Sequence, residues 1–270
     1  MITKKYFGPI LFVVMLGVAL FFGLTGSGPK TYRIHATIDF PETIEFGDTI
    51  LDTHSILEGH TICLVGVNLW TDSGDFNPEV LLDSAIVENN EFVFQGPCAD
   101  KEPYFVYVVD GNLGNLGMLV VEPGQIEVVL DMDGLTASGT PLNDGITDLY
   151  AGIQNLDEDF RLLEYSLTEE STSEDVTRFM EAQEEYDAKV KDLVDSVYEA
   201  NQNNLVGVYA TLLNLAEIHN AAELRECLKE YSEFVQNSEI VKSYIRDLEF
   251  SESAWENVSN SYVPELPDEE

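Results

Sequence analysis

Three cysteines are the side chains of this sequence best suited to nucleophilic or redox chemistry. Cys63, Cys98 and Cys227 occur singly, and the 270 residues contain no C-x-x-C pair. A cysteine becomes a nucleophile when a nearby cation lowers its pKa, but the chain has only 13 Lys+Arg against 50 Asp+Glu. We therefore expect three separate, mostly buried thiols; a Cys63–Cys98 disulfide is the alternative in an oxidising compartment.

The histidines and acidic loops are the remaining candidates for metal chemistry. The four histidines are His35, His54, His60 and His219. They show no H-E-x-x-H or other ligand spacing, which favours surface or strand positions over zinc ligation. The loops Asp131-x-Asp133-Gly134 and Asp72-x-x-Asp75 offer oxygen atoms of the kind that calcium prefers, but both lack the other ligands of an EF-hand loop. We predict no catalytic residue, no cofactor and no metal site.

The overall charge excludes one class of partner. The formal net charge is −37 at pH 7, whereas binding of nucleic acid requires clustered cations that neutralise phosphates. The same charge argues against docking on an anionic membrane surface. The partner is therefore expected to be neither a nucleic acid nor an anionic lipid surface.

The N-terminal segment has the features of an export signal. Lys4 and Lys5 precede an uncharged apolar run over residues 6–24, which as a helix would span about 28 Å, close to the ~30 Å core of a bilayer. We predict that residues 1–29 form a signal anchor, giving a single-pass inner-membrane protein with a periplasmic domain. Cleavage that releases a periplasmic protein is the alternative. Ser27 stands where a lipoprotein signal has its cysteine, so lipidation at Ser27 is excluded.

The rest of the chain changes from strand to helix periodicity near residue 140. Residues 30–140 contain short β-type runs separated by turn signals, which predicts an antiparallel β-sandwich with an irregular insertion at 41–59. Residues 141–250 contain apolar residues at helical spacing, which predicts an α-helical bundle. Residues 251–270 form a C-terminal tail. The predicted fold class is therefore α+β, with a membrane-spanning or signal helix at the N-terminus.

Three motif blocks resemble one known family. The first resembles a hairpin pattern, DSA-x-V-x-(D/N)G-x-F-x-F-x-G, and its positions are Asp83, Ser84, Phe92, Phe94 and Gly96. The second resembles an EPG turn and comprises Glu122, Pro123 and Gly124. The third resembles a sheet-to-helix junction, SGTPLND, and includes Gly139, Thr140 and Asn143. These blocks are similar to those of the domain of unknown function 4369, a β-sandwich family of exported bacterial proteins, over about residues 32–250.

The resemblance implies a redox context but no redox residue in this chain. In many relatives the sandwich and a helical segment precede a thioredoxin-like domain of the TlpA or peroxiredoxin type, and Asn204–Ala210 is similar to that helical segment. We expect the chain to end where the redox domain would begin. Since it has no C-x-x-C motif, the family's oxidoreductase activity is carried over to none of its residues, and the chain is predicted not to be an enzyme.

The motif positions also predict structural roles. Phe92 and Phe94 lie two residues apart on a strand and should both enter the core. Asn90 occupies a position where glycine is usual, and asparagine also tolerates positive φ. Gly124 should take positive φ after Pro123, and Asn143 is predicted to cap the first helix.

Taken together, the sequence predicts a non-enzymatic cell-envelope protein whose acidic extracytoplasmic domain binds an unidentified protein partner. The alternative is a docking module for a separately encoded thioredoxin-like disulfide oxidoreductase. Carbohydrate binding on Trp70 and Trp255 is a third hypothesis, against which core or edge packing is favoured. Thr49, in Asp48-Thr49-Ile50, resembles an O-glycosylation sequon of the bacterial envelope.

Overall fold

The computed structural model describes residues 30–46, 49–53, 55–68, 77–98, 102–164, 166 and 172–261. The predicted leader helix over 1–29 lies outside this part of the chain, as do His54, Trp70 and the Asp72–Asp75 loop. The side chains of Thr49 and Trp255 lie outside it as well. Among the helices that are described, none combines the length and apolar character needed to cross a bilayer.

Ten strands occupy the described part of residues 30–140, the region in which the sequence predicts β-structure. They are β1 (Thr31–Ile38), β2 (Thr43–Phe46), β3 (Thr49–Asp52), β4 (Thr61–Gly66), β5 (Leu81–Ile86), β6 (Glu91–Pro97), β7 (Tyr104–Asp110), β8 (Gly114–Val121), β9 (Gly124–Asp131) and β10 (Gly134–Ser138). Two four-stranded sheets have the orders β10-β9-β1-β6 and β5-β4-β7-β8, here called the first and the second sheet. The fold is therefore α+β with two sheets in which antiparallel pairing predominates.

The two sheets share one hydrophobic core. In the first sheet Ile34 and Phe94 are fully buried, and in the second Ile62 and Val106 belong to the same cluster. Phe92 and Phe94 both enter this core, as predicted, and their rings make an edge-to-face contact with centroids 5.5 Å apart.

The pairing of β1 differs from the predicted antiparallel arrangement. β1 is antiparallel to β6 but parallel to β9, with Ile34 opposite Ile126. Alternation of polar and apolar residues reports which face of a strand is buried, not the direction of its neighbour. The insertion at 41–59 also differs from the prediction of an irregular segment, because β2 and β3 form a two-stranded antiparallel hairpin there.

The turn between β5 and β6 has the predicted backbone conformation. Asn89 and Asn90 have φ values of 56° and 60°, which is the left-handed pair that a tight two-residue hairpin requires. The Glu58 carboxylate accepts the backbone N–H groups of both asparagines, at 3.0 and 3.2 Å. The turn is therefore held by a side chain from outside the hairpin.

Six α-helices follow in the described residues, as the change of period predicts. They are α1 (Pro141–Glu164), α2 (Ser173–Ala200), α3 (Leu205–Asn214), α4 (Ala221–Cys227), α5 (Glu233–Gln236) and α6 (Glu239–Ser261). Phe160 near the end of α1 stacks on Phe179 near the start of α2, with centroids 5.2 Å apart. Leu149 and Val194, at the opposite ends of these helices, share another cluster, so α1 and α2 are antiparallel.

The helices cover the outer face of the second sheet. Phe105 of β7 and Val120 of β8 point away from the inter-sheet core and pack in a second cluster with Val208 of α3 and Val241 of α6. The second sheet is thus buried on both faces at this end. A cleft lies at the edge of the region that the helices cover.

Candidate functional site

A cleft of about 520 Å³ lies between the second sheet and the helices. Its floor consists of buried apolar side chains from both layers. They are Val67, Val80, Phe105, Leu205 and Ile240. Ligand sites are typically concave and apolar with a few polar groups, and this cleft has that composition.

Two half-exposed apolar side chains line the cleft. Leu82 of β5 is 38% exposed and Phe234 of α5 is 37% exposed. A bulge in the β4–β5 pairing explains the position of Leu82, because Val65 pairs with Leu81 and Leu64 with Asp83, which leaves Leu82 as the extra residue. Bulges of this kind redirect a side chain.

Three carboxylates line the cleft, and no lysine or arginine does so among the residues that the structure describes. Glu79, Glu102 and Glu239 contribute the carboxylates. Lys242 donates to Glu239 Oε1 at 3.1 Å, and Asn68 donates to Oε2 at 3.3 Å; these two bonds hold the pKa of Glu239 below its usual value. Within the described ranges Glu79 and Glu102 form no ion pair.

The cleft is held by contacts between α6 and the end of β4. Ser243 Oγ donates to the Val67 carbonyl at 2.8 Å in a buried position. The Arg246 guanidinium donates to Asn68 Oδ1. Asn77 Nδ2 donates to the Asn68 carbonyl at 3.4 Å, while its Oδ1 accepts Glu79 N–H at 3.1 Å. The walls of the cleft are therefore joined by hydrogen bonds within the chain.

The structure brings two of the three motif blocks together, at a junction between β8 and α1 that is away from the cleft. Glu122 Oε1 accepts the N–H groups of Leu142 and Asn143 at 2.8 and 3.3 Å, at the first turn of α1. Asn143 was predicted to cap that helix; instead it lies inside the first turn, and its side chain bonds to the backbone of Val120. The predicted cap is wrong because helix α1 begins at Pro141, two residues earlier.

Glycines in these blocks allow close backbone approaches. Gly139 has a φ of 90°, and a Cβ there would lie 2.7 Å from the Gln125 carbonyl oxygen. Gly124 takes positive φ, as predicted. Together with Pro123 and the Thr140 hydroxyl, which accepts from Asn143 Nδ2 at 2.9 Å, these residues make a compact turn-and-helix junction.

The third motif block lies elsewhere, at the hairpin of β5 and β6. Gly96 lies beneath the Tyr32 ring, where a Cβ would come within 2.8 Å of the hydroxyl oxygen. Burial, with the nearby Tyr104 and Asp83, raises the pKa of Tyr32 to about 12. Asp83 accepts the Ser84 N–H at 2.8 Å. These contacts are consistent with the structural roles expected for the block.

The candidate cysteines do not converge on one site. Cys63 is on β4, Cys98 follows β6 and Cys227 ends α4, and all three are unbridged. Burial raises the pKa of the Cys98 thiol, which opposes formation of a thiolate. Cys98 is thus placed as a core residue of the inter-sheet cluster.

Each described histidine that makes an ion pair does so with its own carboxylates, at a separate place in the fold. His60 Nδ1 lies 3.0 Å from Asp110 Oδ2, whose side chain is fully buried. Burial alone would raise the pKa of Asp110, but N–H groups of Leu113 and Asn112 and the His60 ring together hold it below its usual value. Asp131 accepts the Asp133 N–H at 2.9 Å within the β9–β10 turn. Within the described ranges no three potential ligands form a metal-binding group.

The cleft residues were not identified from the sequence. They come from distant segments and form no motif, so spacing gave no indication of them. One local signal was available. Leu81 and Leu82 are adjacent in a strand, and regular alternation can bury only one of two neighbouring side chains, so an exposed leucine could be expected there.

Residues 57–145 match a family model described as "Domain of unknown function (DUF4369)". The matched segment contains all three motif blocks. No curated protein matches the chain.

Proposed function

We propose that this chain is a non-enzymatic interaction module. The premise is that residues 57–145 belong to the domain of unknown function 4369 family. The module binds a protein partner in the acid-rimmed cleft. The observation that carries this proposal is the position of half-exposed Leu82 and Phe234 beside the carboxylates of Glu79 and Glu102.

The chemistry of the cleft supports a protein partner. Exposed apolar side chains grouped in a concavity are typical of interaction surfaces. Carboxylates at the rim favour partners that carry Lys or Arg and disfavour acidic ones. The shared core of the two sheets supports a β-sandwich as the rigid scaffold for this cleft.

The proposed location is the cell envelope. The uncharged run over residues 6–24 after Lys4 and Lys5 supports a single-pass anchor with the cleft on the extracytoplasmic side. A cleaved leader would leave the same module free in the periplasm. Either form presents the acidic surface to other envelope proteins.

Site-specific photo-cross-linking tests the proposal. The full-length chain carries p-benzoylphenylalanine in place of Phe234 and is irradiated in its native cells. We expect one discrete adduct. The double substitution Glu79→Lys, Glu102→Lys should reduce the yield of this adduct by about tenfold or more, because the cleft rim then repels a partner that carries Lys or Arg.

Phe250 provides the matched control. It is 59% exposed on α6 and outside the cleft lining, so the same cross-linker at that position should give no such adduct. An equal adduct at both positions, or none at position 234, would refute the proposed site.

A further inference from the structure

The strand β5 presents an open edge beside the cleft. It is the outer strand of the second sheet and pairs only with β4 among the described strands. Its six residues include three large exposed apolar side chains: Leu81 at 52%, Leu82 at 38% and Ile86 at 58%. Such an edge can pair with another strand.

Natural edge strands are commonly protected, and the devices of β5 are one bulge and one charged residue, Asp83. Leu81–Ile86 contains no lysine and no proline. Its bulge lies at Leu82, next to the cleft, while Asp83–Ile86 pairs regularly with β4. In the regular part the Ser84 N–H already donates to Asp83 Oδ1 at 2.8 Å, so a new strand pairs through the remaining outward main-chain groups, beside exposed apolar side chains.

We propose that an extended segment of the partner, with alternating apolar and Lys or Arg residues, adds to β5 as a new edge strand. This inference rests on the proposed function and specifies its binding mode. Main-chain hydrogen bonds to β5 hold the segment, as in other cases of strand addition. Because successive side chains of a strand point to opposite faces, the segment's apolar side chains contact Leu82 and Ile86 on the cleft face. Its cations then lie on the other face, where Asp83, opposite the core residue Leu64, is the carboxylate of β5.

Charge identifies the occupant as a basic segment of another protein. In the described part of the chain the cleft lining contributes three carboxylates, of which Glu239 is paired with Lys242, and no cation. A second copy of this chain would bring the same rim and a net charge of −37, so repulsion opposes self-pairing at this edge.

A short synthetic peptide of alternating Val and Lys residues tests this mode with the full-length chain. We expect binding that slows amide hydrogen exchange within Leu81–Ile86. The matched probe is the same peptide with alternate backbone nitrogens methylated, which retains every side chain and charge but loses backbone donors. It should bind weaker by roughly tenfold or more.

Two variants of the protein locate the contact. Ile86→Lys should weaken binding of the Val/Lys peptide by roughly tenfold or more, because it removes an apolar contact and adds a charge of the same sign as the peptide at the pairing edge. Met132→Lys is the control, since Met132 is equally prominent at 59% exposure but lies in the β9–β10 turn. It should leave the affinity unchanged.

The outcomes separate the two proposals. Binding with no β5 protection and no effect of N-methylation overturns strand addition and leaves the cleft as the binding site. Failure of the peptide to bind, while the Phe234 cross-link persists, also overturns the strand inference. Failure of both peptide binding and cross-linking overturns the proposed function itself.

Discussion

The side-chain amide of Asn143 pairs with both backbone groups of Val120. The Val120 N–H donates to Asn143 Oδ1 at 3.0 Å, and Asn143 Nδ2 donates to the Val120 carbonyl at 2.8 Å. β8 is an outer strand of the second sheet, so one asparagine in the first turn of α1 replaces a neighbouring strand at this point. Asn143 is only 1% exposed, which makes these bonds difficult to replace with water.

Asn143→Ala is expected to lower the free energy of unfolding by about 2–3 kcal/mol, because buried donors and acceptors of Val120 lose their partner. Chemical denaturation monitored by circular dichroism measures this. Asn155→Ala, an exposed change in the same helix, should alter stability by less than about 0.5 kcal/mol. Equal effects of both substitutions would contradict the assigned role of Asn143.

The Glu122 carboxylate is expected to stabilise the start of α1 through both hydrogen bonding and charge. Glu122→Gln retains an acceptor but removes the negative charge near the helix N-terminus, which should cost about 0.3–2 kcal/mol. Glu122→Ala also removes the acceptor for Leu142 and Asn143 and should cost about 1–3 kcal/mol more. Urea unfolding of both variants tests the order, and a Gln variant less stable than the Ala variant would argue against it.

Gly139→Ala is expected to destabilise the junction between β10 and α1. A φ of 90° disfavours any residue with a Cβ, and that Cβ would lie 2.7 Å from a backbone oxygen of Gln125. The conformation alone costs about 1–2 kcal/mol, and the close approach adds to it. Thermal unfolding should show a clear loss, whereas Gly111→Ala, with open space at its Cβ position, should remain near wild type.

His35 is expected to make stability depend on pH. Its ring lies 3.0 Å from Glu127 and 3.4 Å from Glu91, on the two neighbouring strands. Hydrogen bonds to Glu127 and Glu91 raise the pKa of His35 above its usual 6.5. A raised pKa means that the stabilisation is fully present below the unfolded pKa and is lost as the pH rises through the folded pKa.

His35→Gln should therefore cost stability at about pH 5.5 but little at about pH 9. The cost should stay below about 1 kcal/mol, since both carboxylates are about half exposed. Repeating the substitution in a Glu91→Gln, Glu127→Gln background supplies the control, and there its effect should no longer change with pH. Persistence of the pH dependence in that background would exclude the ion pairs as its source.

Much of the architecture could be predicted from local patterns. Alternation placed Phe92 and Phe94 in the core, and the change to helical spacing located the start of the helical region near residue 140. Asn90 was expected to tolerate positive φ, and it adopts a φ of 60°. Each of these features depends on residues that are close in sequence, so the sequence was sufficient to predict them.

The tertiary structure alone decided which distant segments meet. Sequence periodicity indicates the buried face of an element but contains no information on which element covers that face. The parallel pairing of β1 with β9 and the bonds from Asn143 to Val120 are of this kind. The cleft is the clearest case, because Glu79, Glu102 and Glu239 come from three separate segments and become neighbours only when helices pack against the second sheet.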